Sequence, residues 1–409
     1  MNALLANDPA LPQRDILVDE AVMAQYLSRL MARYGNPGIN NCERLRTKYH
    51  VGASLRVLYE VSGGGHAYRI AARAFPRSQQ VTNKHTHTPE IYAPELNTIF
   101  WIFPHDRKIR NLIVLAGIPE ALRDIEGREW VESRIVGHVP EKSVTAQCLD
   151  QDQQIIAYAK IYAGEEGRDV YDVYQQIHAA CNQVRIPRAL AYYDKHHLLL
   201  LESVPGVSLS VLEPARREYA YHQLGEALNK LHGITPPSSA ARSTRLTLDG
   251  LMQAAATISQ ACPEVADLAQ RLAEKLIASY EKIPDATPVL LHGDLHPKNI
   301  LMDGERLFLL DLDQAATGAA ALDVGSVIAG LYCEACTGLL TENASSSLIS
   351  ALLSGYGVAG DSLRWYVAAA LLEERALRTV TRIRFGGLEK LPEILTTAGA
   401  VLNGGISAN

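Results

Sequence analysis

Hydrophobic positions change character along the chain, from short strand-like runs broken by glycine and polar turns to the longer period of helices. Over residues 16–35, Val22, Met23, Tyr26, Leu27, Leu30 and Met31 recur at helical intervals and Gly35 stops the run, which predicts one amphipathic helix. Residues 49–61 and 67–75 then read as strands, separated by Ser62-Gly63-Gly64-Gly65, a loop suited to a hairpin because glycine tolerates positive φ. A second pair follows the same plan, with residues 143–149, a polar connector at 150–154 and a strand at 155–163. The two hairpins overlay without a gap at an offset of 88 residues, which sets His50-Val51 on His138-Val139 and raises an internal duplication as a hypothesis. From Arg168 onwards helices dominate, broken by the strand HLLLLE at residues 197–202 and by a hairpin near residue 300. Residues 214–232 place Tyr221, Leu224, Leu228 and Leu231 on one face, with Gly233 just past the end. Strands first and helices later predict an α+β, two-lobed arrangement rather than an alternating parallel sheet.

At 409 residues the chain exceeds what one hydrophobic core holds, so two or three domains are expected. The balance of 47% hydrophobic and 21% charged residues is that of a globular protein, and a core must be buried. A formal net charge of -6 supplies no global field for a polyanion, which argues against nucleic acid or an anionic membrane surface as partner. The first residues, MNALLANDPALPQRD, lack the basic head and apolar stretch of a signal peptide, and no run approaches the ~20 apolar residues of a membrane span. Cys42, Cys148, Cys181, Cys262, Cys333 and Cys336 are scattered, as reduced thiols in a cytoplasm would be. Cys333 and Cys336 have the spacing of half a zinc site or a redox pair, but with no second pair or neighbouring histidine they read as two small residues of a helix.

Chemistry concentrates in residues 288–313, PVLLHGDLHPKNILMDGERLFLLDLD, where short apolar runs alternate with polar groups and Asp303-Gly304 supplies a turn. Phosphoryl transfer needs a carboxylate to orient the attacking hydroxyl and hard oxygen ligands for the magnesium that neutralises the phosphates. Asp294 suits the first task. Asn299, five residues on, and Asp311, on the following strand, suit the second, and this order and spacing repeat the protein-kinase arrangement. Two other readings compete. The aspartates can be turn or capping residues beside partly buried histidines, and a metal-hydrolase reading of His292, Asp294 and His296 needs more ligands than are visible.

The string His292-Gly293-Asp294-Leu295-His296-Pro297-Lys298-Asn299, followed by Leu310-Asp311-Leu312-Asp313, resembles the aminoglycoside phosphotransferase and choline kinase superfamily. The resemblance spans roughly residues 134–385 and is specific around 292–323. It implies a bilobal protein-kinase-like fold, with a small β-rich lobe and a large helical lobe, and the cofactors ATP (or GTP) and Mg2+. It also implies Asp294 as catalytic base and Asn299 and Asp311 as metal ligands. Asp313 would assist, His292 and His296 would support the loop, and Asp323 would brace it. Lys160, in the apolar run IIAYAKIYA, matches the family's phosphate-binding lysine; the alternative is an edge-strand lysine that discourages aggregation. Its acidic partner is unassigned among Glu165, Glu166, Asp169 and Asp172. In the overlay of the hairpins Ala72 falls opposite Lys160, so the first copy would not grip phosphate. The family's glycine-rich loop is missing from residues 150–153. The segment HLLLLESVPGVSL resembles the family's hinge, with Glu202, Ser203 and Val204 against the purine edge.

The runs TKYHVGASLRVLYEV, IFWIFPHDRKIRNL and GHVPEKSV are similar to bacterial phosphotransferases related to maltokinases, which carry an N-terminal cap domain. Three domains are therefore expected: an α+β accessory domain over residues 1–130, an ATP-binding small lobe and hinge over 131–204, and a helical catalytic and acceptor-binding lobe over 205–409. The expected activity is transfer of a γ-phosphate to a hydroxyl of a sugar, amino sugar or aminoglycoside-like compound. The charged run in residues 371–385, which includes Glu373, Glu374, Arg375, Arg378, Arg382 and Arg384, reads first as a solvated helix face and second as acceptor contacts. Rival functions are a nucleotide-binding pseudokinase serving a biosynthetic complex and a peptide serine/threonine kinase.

Overall fold

A computed structural model describes residues 4–33, 38–79, 90–180, 183–236, 243, 245–283, 286–357, 360 and 362–404, so Gly35 and Cys181 of the sequence reading lie outside the described residues. The chain divides into two compact units, the first formed by residues 1–167, 192–200 and 381–383 and the second by the remainder.

In the first unit α1 (Arg14–Val18) and α2 (Glu20–Ala32) stand where one helix is predicted. Asp19 makes the break: it is extended, and its side chain accepts the Val22 amide at 3.0 Å, an N-cap that starts a new helix. Met23, Leu27, Leu30 and Met31 are buried, whereas Val22 is exposed. The predicted strand 49–61 is in fact the end of β1 (Asn41–His50) and most of β2 (Ser54–Gly63), because Gly52, at φ 70°, turns the chain between them. With β3 (His66–Ala74), β4 (Glu90–Ala93) and β5 (Thr98–Ile102) they form a sheet in the order β1-β2-β3-β5-β4, on which Leu58, Ala71, Phe75, Ile99 and Trp101 cluster. A short α3 (Glu120–Arg123) and the hairpin β6 (Asp124–Ile125) and β7 (Arg128–Glu129) lead on to β8 (Glu132–Val139), β9 (Ser143–Leu149) and β10 (Ile155–Tyr162). After α4 (Glu166–Ala180), β11 (Ala189–Tyr193) and β12 (Leu198–Glu202) complete a second sheet, β11-β12-β10-β9-β8; the division between the units runs through these two strands.

The two sheets share one strand order and, in their central hairpin, one register. Ala72 pairs with Val57 and Lys160 with Thr145, and each partner differs by 88 residues. The single-turn helix Pro94–Leu96 followed by left-handed Asn97 (φ 43°) recurs 100 residues on as Asp194–His196 followed by left-handed His197 (φ 47°). The gapless overlay fails in the first strand and, through a bulge after Ile155, where the third begins, since Ile155 faces Leu149 but Ala67 faces Ser62. Leu55 faces Tyr49 while Ser143 faces Val139, so Tyr49, not Val51, corresponds to Val139 and the first turn differs by two residues.

The second unit contains β13 (Val207–Ser208), α5 (Pro214–His232), α6 (Leu248–Ala261), α7 (Ala266–Tyr280) and β14 (Val289–Leu291). The hairpin of β15 (Ile300–Asp303) and β16 (Arg306–Leu309) follows, with Gly304 at φ 59° in its turn, and then β17 (Ala316–Gly318). Next come α8 (Ala321–Cys336), α9 (Glu342–Tyr356), α10 (Leu363–Ala370), α11 (Leu377–Thr381), α12 (Phe385–Leu388) and α13 (Leu391–Gly404). Cys333 and Cys336 lie on α8 as free thiols whose burial pushes their pKa up. Between α10 and α11 the six residues Leu371–Ala376 form a π-helical turn. This overturns the reading of residues 371–385 as a solvated face: Glu374 is buried and Glu373 and Arg375 are half-buried. Among the described residues no helix is long and apolar enough to cross a membrane.

Candidate active site

The loop from His292 to Asn299 leaves β14 and returns to β15, and its conformation is set by a buried carboxylate some thirty residues on. Asp323, in the first turn of α8 and fully buried, accepts the backbone N–H of His292 at 2.6 Å and that of Gly293 at 3.0 Å. His232 Nε2 lies 3.4 Å and Arg245 Nη1 3.5 Å from the same carboxylate. Burial alone would raise the Asp323 pKa, but the hydrogen bond and charge of His232, with Arg245 and His292, bring it down to about 2. Gly293 must be glycine for two reasons. Its φ is +83°, and a Cβ there would lie 1.9 Å from the Gln314 carbonyl oxygen.

His292 is buried and holds one tautomer, assigned from its partners. Nε2 donates to the Leu310 carbonyl at 2.9 Å, and Nδ1 accepts the Asp294 N–H at 3.3 Å. Asn299, also buried, donates from Nδ2 to the Asp294 carbonyl at 3.0 Å, which leaves its Oδ1 as the free end. The Asn299 carbonyl accepts the Leu310 amide at 2.8 Å, so the residue preceding Asp311 is bonded to Asn299 itself. Asp311 is left-handed at φ 64°, a conformation that non-glycine residues hold at a cost and that clusters at functional sites. Asp313 lies on the same short segment, whose Leu312 amide donates to the buried Tyr174 hydroxyl at 3.4 Å.

The Asp294 carboxylate is half-buried, with His296 Nε2 at 4.0 Å and Arg378 Nη1 at 3.7 Å. Burial lowers the pKa of His296, and Arg375 and His292 act in the same direction against the pull of Asp294 and Asp311. His296 also lines a cleft of about 430 Å³, whose charged walls are Glu334, Arg375 and Arg384. Sequence reasoning missed Arg245. It donates to the Gly293 carbonyl at 2.9 Å and to Glu374, and so ties the loop to the π-helical turn. Nothing in its neighbourhood, ARSTRLTL, marks it, since Glu374 lies 129 residues away.

Within the second unit the structure thus brings together Asp294, Asn299, Asp311, His292, His296, Asp313 and Asp323. Glu202, Ser203 and Val204 are also in this unit and half-buried. The Glu202 amide donates to the Arg188 carbonyl at 2.9 Å and its carboxylate accepts the Arg188 amide at 3.0 Å. Lys160 belongs to the first unit. It is buried on β10, with Nζ 5.5 Å from the Tyr162 ring centroid. The turn at residues 150–153 is tied by its own aspartate, whose Oδ1 accepts the Asp152 and Gln154 amides at 3.0 and 2.9 Å.

Residues 150–366 match the family model described as the phosphotransferase enzyme family. No curated protein sequence matches the chain. Among solved structures, the apo form of a thermostable mutant of aminoglycoside phosphotransferase APH(4)-Ia is similar at 14% identity and a TM-score of 0.50, over 68% of this chain and 96% of that one. A choline/ethanolamine kinase family protein from Mesorhizobium loti gives 16% identity and 0.48, over 71% and 93%. The gentamicin complex of APH(2")-IIa gives 15% and 0.44, over 68% and 92%. At such identity the first of these shows the fold alone, an α+β kinase-like one.

Proposed function

Because the chain belongs to the phosphotransferase enzyme family, we propose that it moves the γ-phosphoryl group of ATP or GTP onto a hydroxyl of a small molecule. The observation that carries this reading is the half-buried Asp294 carboxylate beside His296 on the wall of the cleft, with Asn299 and Asp311 held on the same loop framework. A cleft of about 430 Å³ has the size of a small-molecule site, which favours such an acceptor over a peptide.

In the proposed reaction the acceptor oxygen bonds to the γ-phosphorus as the bond to the β–γ bridging oxygen breaks, the nucleoside diphosphate leaves, and the hydroxyl proton passes to Asp294. Asn299 Oδ1 and the Asp311 carboxylate are hard oxygen donors, and they fit magnesium, which takes one or two protein ligands together with phosphates. Among the described residues no three His, Cys, Asp or Glu side chains converge as a metal site, in keeping with an ion held mainly by its nucleotide. When bound, magnesium would neutralise phosphate charge. Lys160, a buried cation on an apolar strand, is proposed to hold the phosphates, and the hinge residues Glu202, Ser203 and Val204 the purine. Asp323 would act through the loop amides as a positioning residue, with His292 and Asp313 in support.

We further read residues 1–130 as an accessory domain that began as a copy of the small lobe. Its support is the common strand order, the shared register and Ala72 in the place of Lys160. The small lobe would then be residues 131–204 and the catalytic lobe 205–409.

The test is a panel of hydroxylated acceptors with magnesium and γ-labelled nucleotide, run beside Asp294→Asn. Label should reach an acceptor in the native protein. In the variant, transfer should fall by about 10² or more while nucleotide binding is retained. Equal transfer by both would remove Asp294 from its role.

A further inference from the structure

The charged walls of the cleft make it an unusual receptacle for a polycation. Arg375 projects from the π-helical turn, a wide turn that in helices often accompanies function. Its Nη2 donates to the Ser326 carbonyl at 2.5 Å, but its Nε is buried without a hydrogen-bond partner. A buried guanidinium with an unmet N–H is costly, and among the described residues no carboxylate is ion-paired with it. Gly330, on the facing helix α8, leaves the room: a Cβ there would approach Nη2 to 3.2 Å. The second arginine, Arg384, is exposed at the start of α12. Against them stands one acid of the cleft, Glu334. Burial raises its pKa while Arg217 and Arg375 oppose the rise. Glu374 acts on the Arg375 charge from a distance, but its own ion pair is with Arg245 and its Oε2 accepts the Ser326 hydroxyl at 2.6 Å.

We propose that the acceptor carries an anionic group, a carboxylate or a phosphate, which docks on Arg375 and Arg384 while its hydroxyl is presented to Asp294. The inference rests on the phosphotransferase reading of the site and narrows it, away from the polyamine acceptors that a cleft walled by carboxylates would take. Arg375 supplies the missing half of the contact, because its planar fork gives two parallel donors to either anion. His296 connects the cleft to Asp294: it lines the wall, feels the Arg375 charge and stands 4.0 Å from the Asp294 carboxylate.

Binding is measured without nucleotide, by calorimetry, with glucuronate, glucose 6-phosphate, glucose and the aminoglycoside kanamycin as probes. The charged sugars should bind at least tenfold more tightly than glucose, and the better of the two names the anion. Arg375→Gln should weaken that binding tenfold or more, with partial rescue in Arg375→Lys. Gly330→Ala, which displaces the guanidinium without removing it, should weaken it in the same direction should Arg375→Gln fail to fold. Glucose or kanamycin binding as well as the charged sugars, binding of none of the four, or anion binding indifferent to these substitutions would overturn the proposal. If the charged sugars bind through Arg375 yet no label is ever transferred, the anion site stands and the phosphotransferase reading is what fails.

Discussion

At the scale of single residues, the loop is held by Asp323 and Gly293, and each makes a measurable demand. The Asp323 carboxylate is depressed to about 2, so its contribution is present above the ordinary 3.8 and is lost as pH falls through about 2. Acid unfolding followed by circular dichroism should therefore show a loss on the order of 2 kcal/mol between these values, absent in Asp323→Asn. At neutral pH that variant should itself cost about 3–5 kcal/mol, because a buried carboxylate shared by Arg245 and the His292 and Gly293 amides loses its charge. A flat acid profile in the native protein would mean that the carboxylate is not the brace. Gly293→Ala should cost about 1–3 kcal/mol and remove activity, since its Cβ meets backbone that cannot yield. The clustering of Asp294, Asn299 and His292 was legible in the sequence because they fall within eight consecutive residues, where spacing alone carries geometry. Arg245 was illegible for the converse reason: its partners Glu374 and Gly293 become neighbours only through tertiary packing.

Elements transmit this bracing through a close helix crossing. A Cβ on Gly225 of α5 would lie 2.2 Å from the Leu352 carbonyl oxygen of α9, and one on Gly355 would lie 1.9 Å from the His222 carbonyl oxygen, so the two backbones touch where both glycines stand. The contact places the Tyr356 hydroxyl 2.9 Å from His232 Nδ1, and the other ring nitrogen faces Asp323. Gly225→Ala should separate the helices, cost about 1–3 kcal/mol in urea unfolding, and lower kcat more than it raises the nucleotide KM. A variant as stable and active as the native protein would show that the crossing has slack. The period of apolar residues made α5 readable, because its buried stripe is regular. It misled at residues 371–385, where Glu373, Glu374 and Arg375 look solvated in one dimension and are drawn inward on a π turn that no periodicity announces. The strand reading of 49–61 failed for a local reason, a turn at Gly52 inside an otherwise strand-like run.

For the whole molecule the question is what joins the N-terminal sheet to the sheet that follows it within the first unit. The turn between β8 and β9 carries Glu141, whose carboxylate is nearly inaccessible and is met by Arg56 at 2.6 Å, Arg73 at 2.8 Å and Arg107 at 3.0 Å. Arg56 lies on β2 and Arg73 on β3, so one buried acid of the second sheet neutralises cations of the first. The Glu141 amide donates in turn to Asp106 at 3.0 Å. Internal likeness of the two hairpins was visible in the sequence, but this clamp was not, since a lone glutamate in a turn reads as solvent-exposed. Breaking it should cost more than a surface ion pair returns, because Arg56 and Arg73 would lose the carboxylate they share and Arg107 would keep only Glu90. In a Trp365→Phe background the remaining tryptophans, Trp101 and Trp130, both belong to the first unit and report on it alone. Glu141→Gln should shift their unfolding midpoint in urea by the equivalent of about 3–5 kcal/mol, and both should move together if the two sheets unfold as one body. A midpoint that does not move would reduce the arginine cluster to surface decoration, and the N-terminal sheet would then need another means of attachment.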